Sequence, residues 1–439
     1  MPATLAPPGT ILDIGDRLER AGHETWCVGG AVRDALLGHP HADWDLATAA
    51  TPQQVMRLFR RTVPIGVEHG TVGVLDGAGD LHEVTTFRRD VRTDGRHAVV
   101  EFGASLDDDL ARRDFTINAI AYHARRQVLH DPFGGRRDLE ARVVRAVGDA
   151  GARMREDRLR ALRAIRFAAR FDFAIDPATW GAIVESVPAL SRLSAERVKQ
   201  ELEKTMEQIR CPSRALAMWR DSGALAALVP ALAGIGAGTI AALDRLPVPV
   251  GPRGAARRMN RLAALFVGDA LDERAARVAV RALRFSNAQA EWIAILVGRW
   301  QALGREIEDA LAGSARPSDR VVRRWVAGIG RTRVPAFLRI AAARWSAARA
   351  LGDVTPGAAA PGAAAVASLY RRGVRSAYRD PVEVADLAID GDDLMRAGIP
   401  AGATVGRVLH GLLDAVIDDP AVNEPARLLD LARRLAAAG

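Results

Sequence analysis

Two cysteines, Cys27 and Cys211, are all that the 439-residue chain carries, and they stand far apart with no Cys-x-x-Cys spacing. That scarcity excludes a disulfide framework and a cysteine zinc site, and it points to a reducing, cytoplasmic setting. Long apolar runs are missing as well: no uninterrupted stretch reaches the roughly 18 residues that a membrane span needs. No membrane partner is therefore expected. The opening Met1-Pro2-Ala3-Thr4-Leu5-Ala6-Pro7-Pro8 lacks the basic-then-apolar pattern of a signal peptide. The Gly-x-Gly-x-x-Gly fingerprint is absent, which removes a nicotinamide-dependent oxidoreductase, and no His-Asp hydrolase motif suggests an added phosphatase.

What is present is ordinary globular material, with 49% hydrophobic and 26% charged residues and a mean hydropathy of -0.01. The length exceeds the roughly 100–200 residues of one domain, so two or more packed units are expected. Lysine and arginine total 61 against 53 acidic residues, a net charge of +8 that favours a polyanionic partner.

Up to about residue 148 short β-like runs alternate with helical patterns. Candidate strands are Thr25–Val28, Asp43–Ala47, Thr71–Leu75, His82–Phe87 and Val128–His130. The start of an intervening helix is written at Thr51-Pro52-Gln53-Gln54: a threonine cap, proline at the first helical position and glutamine at the third. From Arg153 onward strand signals fade. Leu159, Leu162, Ile165 and Ala169 follow helical spacing, and the rest of the chain reads as helical, with breaks near 235–238, 247–254 and 352–362.

The first constellation with chemistry in it is Cys27-Val28-Gly29-Gly30-Ala31-Val32-Arg33-Asp34, followed by Asp43-Trp44-Asp45. Paired glycines at a strand-to-helix turn let backbone approach a ligand, and free N–H groups at the helix start suit phosphate, with Arg33 in the first turn. Side chains two apart on a strand share a face, so Asp43 and Asp45 project together while Trp44 points away. Such a pair repels unless a cation sits between, and Mg2+ takes oxygen ligands completed by substrate phosphates and water. Either half alone has a plainer meaning, a tight turn or a solvated edge; their succession at short range within one α/β unit is far less expected from chance.

These residues resemble the signature of the bacterial tRNA nucleotidyltransferase and poly(A) polymerase family, the class II nucleotidyltransferases. Further motifs follow in that family's order: Glu68-His69-Gly70-Thr71-Val72, Glu83-Val84-Thr85-Thr86-Phe87-Arg88, Arg112-Arg113-Asp114-Phe115-Thr116-Ile117-Asn118-Ala119 and Asp131-Pro132-Phe133-Gly134-Gly135. The similarity continues through Glu156-Asp157-Arg158-Leu159-Arg160 and Arg163-Ala164-Ile165-Arg166-Phe167. It returns at Gly391-Asp392-Asp393-Leu394 and Pro420–Asn423, whereas roughly 225–380 carries no matching motif.

The resemblance implies an α+β fold class: a polymerase-β-like nucleotidyltransferase head with a mixed sheet over 1–148, then an all-α neck (149–210), body (211–351) and tail (363–439). It implies addition of C, C and A to the tRNA 3′ end from CTP and ATP. Asp43 and Asp45 would hold Mg2+ as catalytic and metal residues, with Glu83 a candidate third carboxylate. Gly29, Gly30 and Arg33 would position phosphates, and Arg113 and Asp114 would engage sugar and phosphate. Asp157 and Arg160, three apart on one helix, would bond the base edge in place of a nucleic-acid template, with Arg163 and Arg166 one and two turns further on toward triphosphate or tRNA. The segment 88–100 resembles the flexible loop of complete enzymes. Alternatives are a poly(A) polymerase or a partial CC- or A-adding enzyme of the same family, and, from another class, a silent RNA-binding protein. Oligomeric state is not readable.

Overall fold

Helix α1 (Gly9–Arg20) buries Ile11, Ile14 and Leu18, the three- and four-residue spacing of one helical face, and leads into β1 (Thr25–Val28). The computed structural model describes residues 5–39, 44–93, 98–313, 315–352 and 360–437. Two compact units divide the chain, one of residues 1–201 with 218–228 and the other of 202–217 with 229–439.

In the first unit, α2 (Gly30–Leu36) follows β1, then β2 (Asp45–Thr48), α3 (Pro52–Leu58), β3 (Thr62–Gly66), β4 (Thr71–Leu75) and β5 (Leu81–Thr86). A separate antiparallel ribbon of β6 (Arg88–Thr93) and β7 (Ala98–Phe102) precedes α4 (Leu106–Ala111), β8 (Ala121–His123) and β9 (Val128–His130). The main sheet has the order β3-β4-β5-β2-β1-β8-β9. It is mixed: β2 and β5 pair in parallel, and every other neighbouring pair is antiparallel. Trp26, Val28, Ala47, Phe87, Leu106, Leu110, Ala119, Ala121 and Val147 form one buried cluster holding β1, β2, α4 and β8 together. Each large member contributes roughly 1.5–3 kcal/mol of transfer free energy. Helices α5 (Gly135–Glu140), α6 (Ala150–Glu156), α7 (Leu159–Phe171), α8 (Pro177–Ser186) and α9 (Ala195–Gln208) follow, with a two-residue parallel pairing of β10 (Val143–Val144) and β11 (Ala174–Ile175).

The strands at Thr25–Val28, Thr71–Leu75 and Val128–His130 stand where the alternation places them, and His82–Phe87 is displaced by one residue. The helix at Pro52 begins as its code requires, with Thr51 N–H donating to Gln54 Oε1 at 2.7 Å and Gln54 N–H to Thr51 Oγ1 at 3.4 Å. Three expectations change. The strand expected from Asp43 begins at Asp45, and Asp43 itself lies outside the described residues. The strand Thr62–Gly66 is unannounced because Pro64 interrupts its pattern, a residue tolerated because β3 is an edge strand. The expected loop at 88–100 is a paired ribbon wherever it is described.

From α9 on, the described residues contain no further strand: α10 (Pro212–Asp221), α11 (Ala224–Leu228), α12 (Ala237–Ala242), α13 (Gly254–Phe266), α14 (Glu273–Ala282), α15 (Asn287–Ala312), α16 (Asp319–Ile329), α17 (Val334–Leu351), α18 (Ala363–Arg379), α19 (Gly391–Arg396), α20 (Ala403–Asp418) and α21 (Pro425–Ala437). Fully buried Arg261 closes the end of α9, donating from Nη1 to Met206 O and Ile209 O and from Nη2 to Arg210 O and Leu246 O. Those carbonyls would otherwise be orphaned. The last helices share their own cluster around Leu394, Leu412, Val416 and Leu428. The tail motifs build its connections: Asp390 caps α19 through Asp392 and Asp393 N–H, and Asn423 donates to Asp386 O while accepting from Ala388 N–H.

Candidate active site

Strand β1 is followed by Gly29, whose φ of 77° and ψ of -134° belong to a region other residues avoid. A Cβ there would stand 3.1 Å from Arg113 Nη1 and 3.8 Å from Asp45 Oδ2. The glycine thus admits close approach of the turn, a guanidinium and a carboxylate. Around it opens a cleft of about 470 Å³ lined by Gly29, Gly30, Arg33, Asp45, Glu83, Arg88, Arg112, Arg113, Asp114, Asn118, Asp157, Arg160, Arg163 and Phe167, among others. Asp45 and Glu83 flank each other, because Leu46 pairs with Val84 in the parallel register of β2 and β5. Trp44 is buried at 1% exposure, away from the cleft lining. Among the described residues no three His, Cys, Asp or Glu side chains gather into a cage for a metal. Two adjacent carboxylates fit an ion that draws its other ligands from water and phosphate.

The arginines are placed by carboxylates behind them. Asp109, fully buried on α4, accepts from Arg112 Nη2 at 2.7 Å and Arg113 Nη2 at 3.0 Å. Burial works to raise its carboxyl, but the charges of Arg113 and Arg112 outweigh that and hold it below the usual range. Arg113 Nε is buried and meets no partner among the described residues, an unspent donor on a side chain that lines the cleft. Asp114 is also buried. Its Oδ1 accepts from Phe115 N–H and Asn118 Nδ2, and its Oδ2 from Arg163 Nε at 2.8 Å and Nη2 at 2.6 Å. Against the desolvation that would raise it, the Arg163 charge and these bonds bring its pKa down to about 2. Four donors fill the acceptor capacity of that carboxylate, so in this arrangement it orients Arg163 and has no lone pair left for a ribose hydroxyl.

Arg33 is 3% exposed. It donates to Asp34 and Asn118, and its guanidinium lies 4.9 Å and 4.7 Å from the ring centres of Phe167 and Phe171. Burial lowers its pKa while Asp34 works to raise it. Arg33 therefore forms a wall of the cleft. Asp34 also receives Arg170 at 3.1 Å, tying α2 to α7. Arg166, expected beside Arg163, is not in the cleft lining; it is 4% exposed and paired with Glu201 at 2.7 Å.

Asp157 and Arg160 both line the cleft, but they do not share a helix. Asp157 is extended (φ -145°, ψ 106°) in the break between α6 and α7, and its Oδ1 accepts from Leu159 N–H at 3.0 Å. It caps the start of the second helix. Its Oδ2 accepts from Arg197 Nη2 at 2.7 Å. Arg160 donates through Nη1 to Glu156 Oε2 and Arg153 O and through Nη2 to Arg112 O. Two of its five N–H groups, at Nε and Nη2, remain for a ligand. The sequence did not mark Asp109, Asn118 or Arg197 as parts of a site. Asn118 lies within the motif that begins at Arg112, so for it position in a motif was the available signal.

The family model of the "Poly A polymerase head domain" matches residues 25–145, and that described as "Probable RNA and SrmB- binding site of polymerase A" matches 172–235. The Geobacillus stearothermophilus CCA-adding enzyme is 44% identical over 225 residues, 51% of this chain and 55% of that protein. In such sequence alignments the chain spans about half the length of the curated relatives it matches. A crystal structure of the Bacillus stearothermophilus CCA-adding enzyme in complex with CTP superposes over 98% of this chain and 97% of its own, with a TM-score of 0.73 and 31% identity. A structure of the Thermotoga maritima CCA-adding enzyme complexed with tRNA_CCA covers 98% and 96%, with a TM-score of 0.66 and 22% identity, a likeness of fold.

Proposed function

We infer from the premise that the chain belongs to the CCA-adding enzyme family that it adds C, C and A to the 3′ end of tRNA, using CTP and ATP without a nucleic-acid template. The tRNA 3′-hydroxyl attacks the α-phosphate and pyrophosphate leaves. The observation that carries this reading is one cleft in which the neighbouring carboxylates of Asp45 and Glu83 meet the guanidiniums of Arg113, Arg160 and Arg163.

Asp43 and Asp45, with Glu83 beside Asp45, are the residues we assign to Mg2+. When bound, the ion supplies Lewis acidity, acidifying the attacking hydroxyl and neutralising the triphosphate. The chain's own residues do the positioning on which phosphoryl-type transfer depends. Arg113, with its unspent Nε, and Arg163, held by Asp114, receive phosphate oxygens; Gly29 and Gly30 leave room for them. Asp157 and Arg160 offer acceptor and donor to the base edge. Arg33 and Arg166, spent on Asp34 and Glu201, keep the cleft walls in place and act on the nucleotide through them.

The test is to sequence the 3′ products of a tRNA transcript lacking CCA after incubation with each nucleotide separately and together. Growth should stop after C, C and A. The match to a poly(A) polymerase head favours one second reading, in which ATP alone extends an unstructured RNA. Long adenosine tails with little CTP incorporation would establish that reading and overturn the first.

A further inference from the structure

We propose a second nucleotide site in the all-helical unit: the cleft between α17 and α18 holds a nucleoside phosphate, with phosphate among four arginines and the base beside Tyr370. The cleft measures about 550 Å³, within the roughly 300–1,000 Å³ of small-molecule sites. Arg245, Arg339, Arg349 and Arg371 line it, and among the described residues no acidic side chain does. Among the described residues none of these four guanidiniums is paired with a carboxylate, whereas some neighbours in the same unit are. Arg372, next in sequence to Arg371, is paired with Asp319, and Arg320 and Arg324 share Asp418.

Two of the four, Arg245 and Arg349, are fixed without being neutralised. Arg245 donates from Nε to Ser346 Oγ at 3.1 Å and from Nη1 to Ala241 O at 2.9 Å, and Arg349 donates to Pro361 O. Neutral acceptors set the geometry and leave the charge for a ligand. Planar guanidiniums gathered without counter-charge match the forked oxygens of phosphate. Phosphate alone leaves the rest of the cleft unexplained. Leu246, Pro247 and Val366 give it an apolar floor, and Arg339 stands 5.1 Å over the Tyr370 ring. Apolar floor, aromatic edge and cationic rim together suit a ligand with a flat ring at one end and an anion at the other. None of these residues lines the head cleft, so the proposal does not rest on the catalytic reading. The nucleoside phosphate has two sources, a free nucleotide or one residue of an RNA strand.

The experiment is photolabelling of the full chain with three probes: 8-azido-AMP, an unstructured RNA carrying internal 8-azidoadenosine, and 8-azidoadenosine without phosphate. Labelled peptides are mapped by mass spectrometry. At least one phosphorylated probe should label α17 or α18 (Ala363–Arg379), about tenfold more than the nucleoside, because each lost charge-assisted contact is worth roughly tenfold. Labelling by AMP identifies the free nucleotide, and labelling by the RNA alone identifies a strand residue. Arg339→Gln with Arg371→Gln should lower it by about tenfold or more with an unchanged melting temperature, and Arg339→Lys with Arg371→Lys should retain most of it. No labelling of these helices by either phosphorylated probe, equal labelling by the nucleoside, or indifference to the glutamine pair would overturn the proposal. Peptides of the head cleft report separately, so failure here is distinct from failure of the proposed catalytic function.

Discussion

Replacing Asp114 with asparagine removes one charge from the centre of the head cleft while keeping the side chain's size. The carboxyl falls from its ordinary 3.8 to about 2 in the folded chain, a preference for the ionised form of about 2 kcal/mol. Breaking a fully buried pair costs about 3–5 kcal/mol, but Arg163 keeps 32% side-chain exposure, and water relieves part of the loss. About 2–3 kcal/mol is therefore expected at pH 7, a lowering of the head unit's melting transition by roughly 4–10 °C. The sign of the pH dependence follows from the depressed pKa. This stabilisation is fully present above the unfolded pKa and disappears as pH falls through 3.8 toward 2, with about half remaining near pH 3. Calorimetric melts of both proteins from pH 7 to pH 2.5 should converge as pH falls. Equal melting temperatures at pH 7, or a gap that does not shrink with acid, would refute the reasoning.

Asp45→Ala should lower CMP incorporation by roughly a hundredfold or more while leaving the melting curve unchanged, and near-normal turnover in magnesium would remove Asp45 from the mechanism. Gly29→Ala places a Cβ 3.1 Å from Arg113 Nη1 at a φ of 77°, a strain of about 1–3 kcal/mol; CTP binding by calorimetry should weaken, and unchanged affinity would show that the close approach is not needed. Arg197→Ala frees the Asp157 carboxylate, so the ratio of kcat/KM for CTP over UTP should fall roughly five- to tenfold; a constant ratio would argue against Asp157 reading the base. In the tail, Asn423→Ala loses its two backbone bonds across 386–388, and hydrogen exchange there should rise by the factor that about 1–3 kcal/mol implies.

The head was legible in the sequence where one local rule sufficed. Strand β1 ends where Gly29 begins, and the Thr51 capping box starts α3 as written. What local rules missed was decided by distant partners. Arg166 follows Arg163 by three residues, yet Glu201, 35 positions away, draws it into a buried pair. Periodicity also carried the α7 helix back through Asp157, because an aspartate can be read as an exposed helical residue or as a cap. The cap prevailed: its Oδ1 meets Leu159 N–H and the chain breaks there. Asp43, legible as half of a metal pair, lies outside the described residues.

Placing Asp157 outside the helix changes the physical argument for template-free selection. Two side chains on one helical face would share the helix's orientation but keep their rotamer freedom, and the entropy of fixing them would weaken discrimination. Here each is held separately. Asp157 is pinned by Leu159 N–H and Arg197, and Arg160 by Glu156, Arg153 O and Arg112 O. A nucleic-acid template presents its edge rigidly because stacking holds the base. Protein side chains gain comparable rigidity only from a surrounding shell of bonds, which is what those contacts supply. The Arg112 carbonyl is the informative member. It anchors Arg160 from the same segment whose Arg113 and Asp114 line the cleft. In the function proposed above, displacement of that segment by a misplaced triphosphate would therefore displace Arg160 as well, coupling phosphate position to base choice through a single backbone bond.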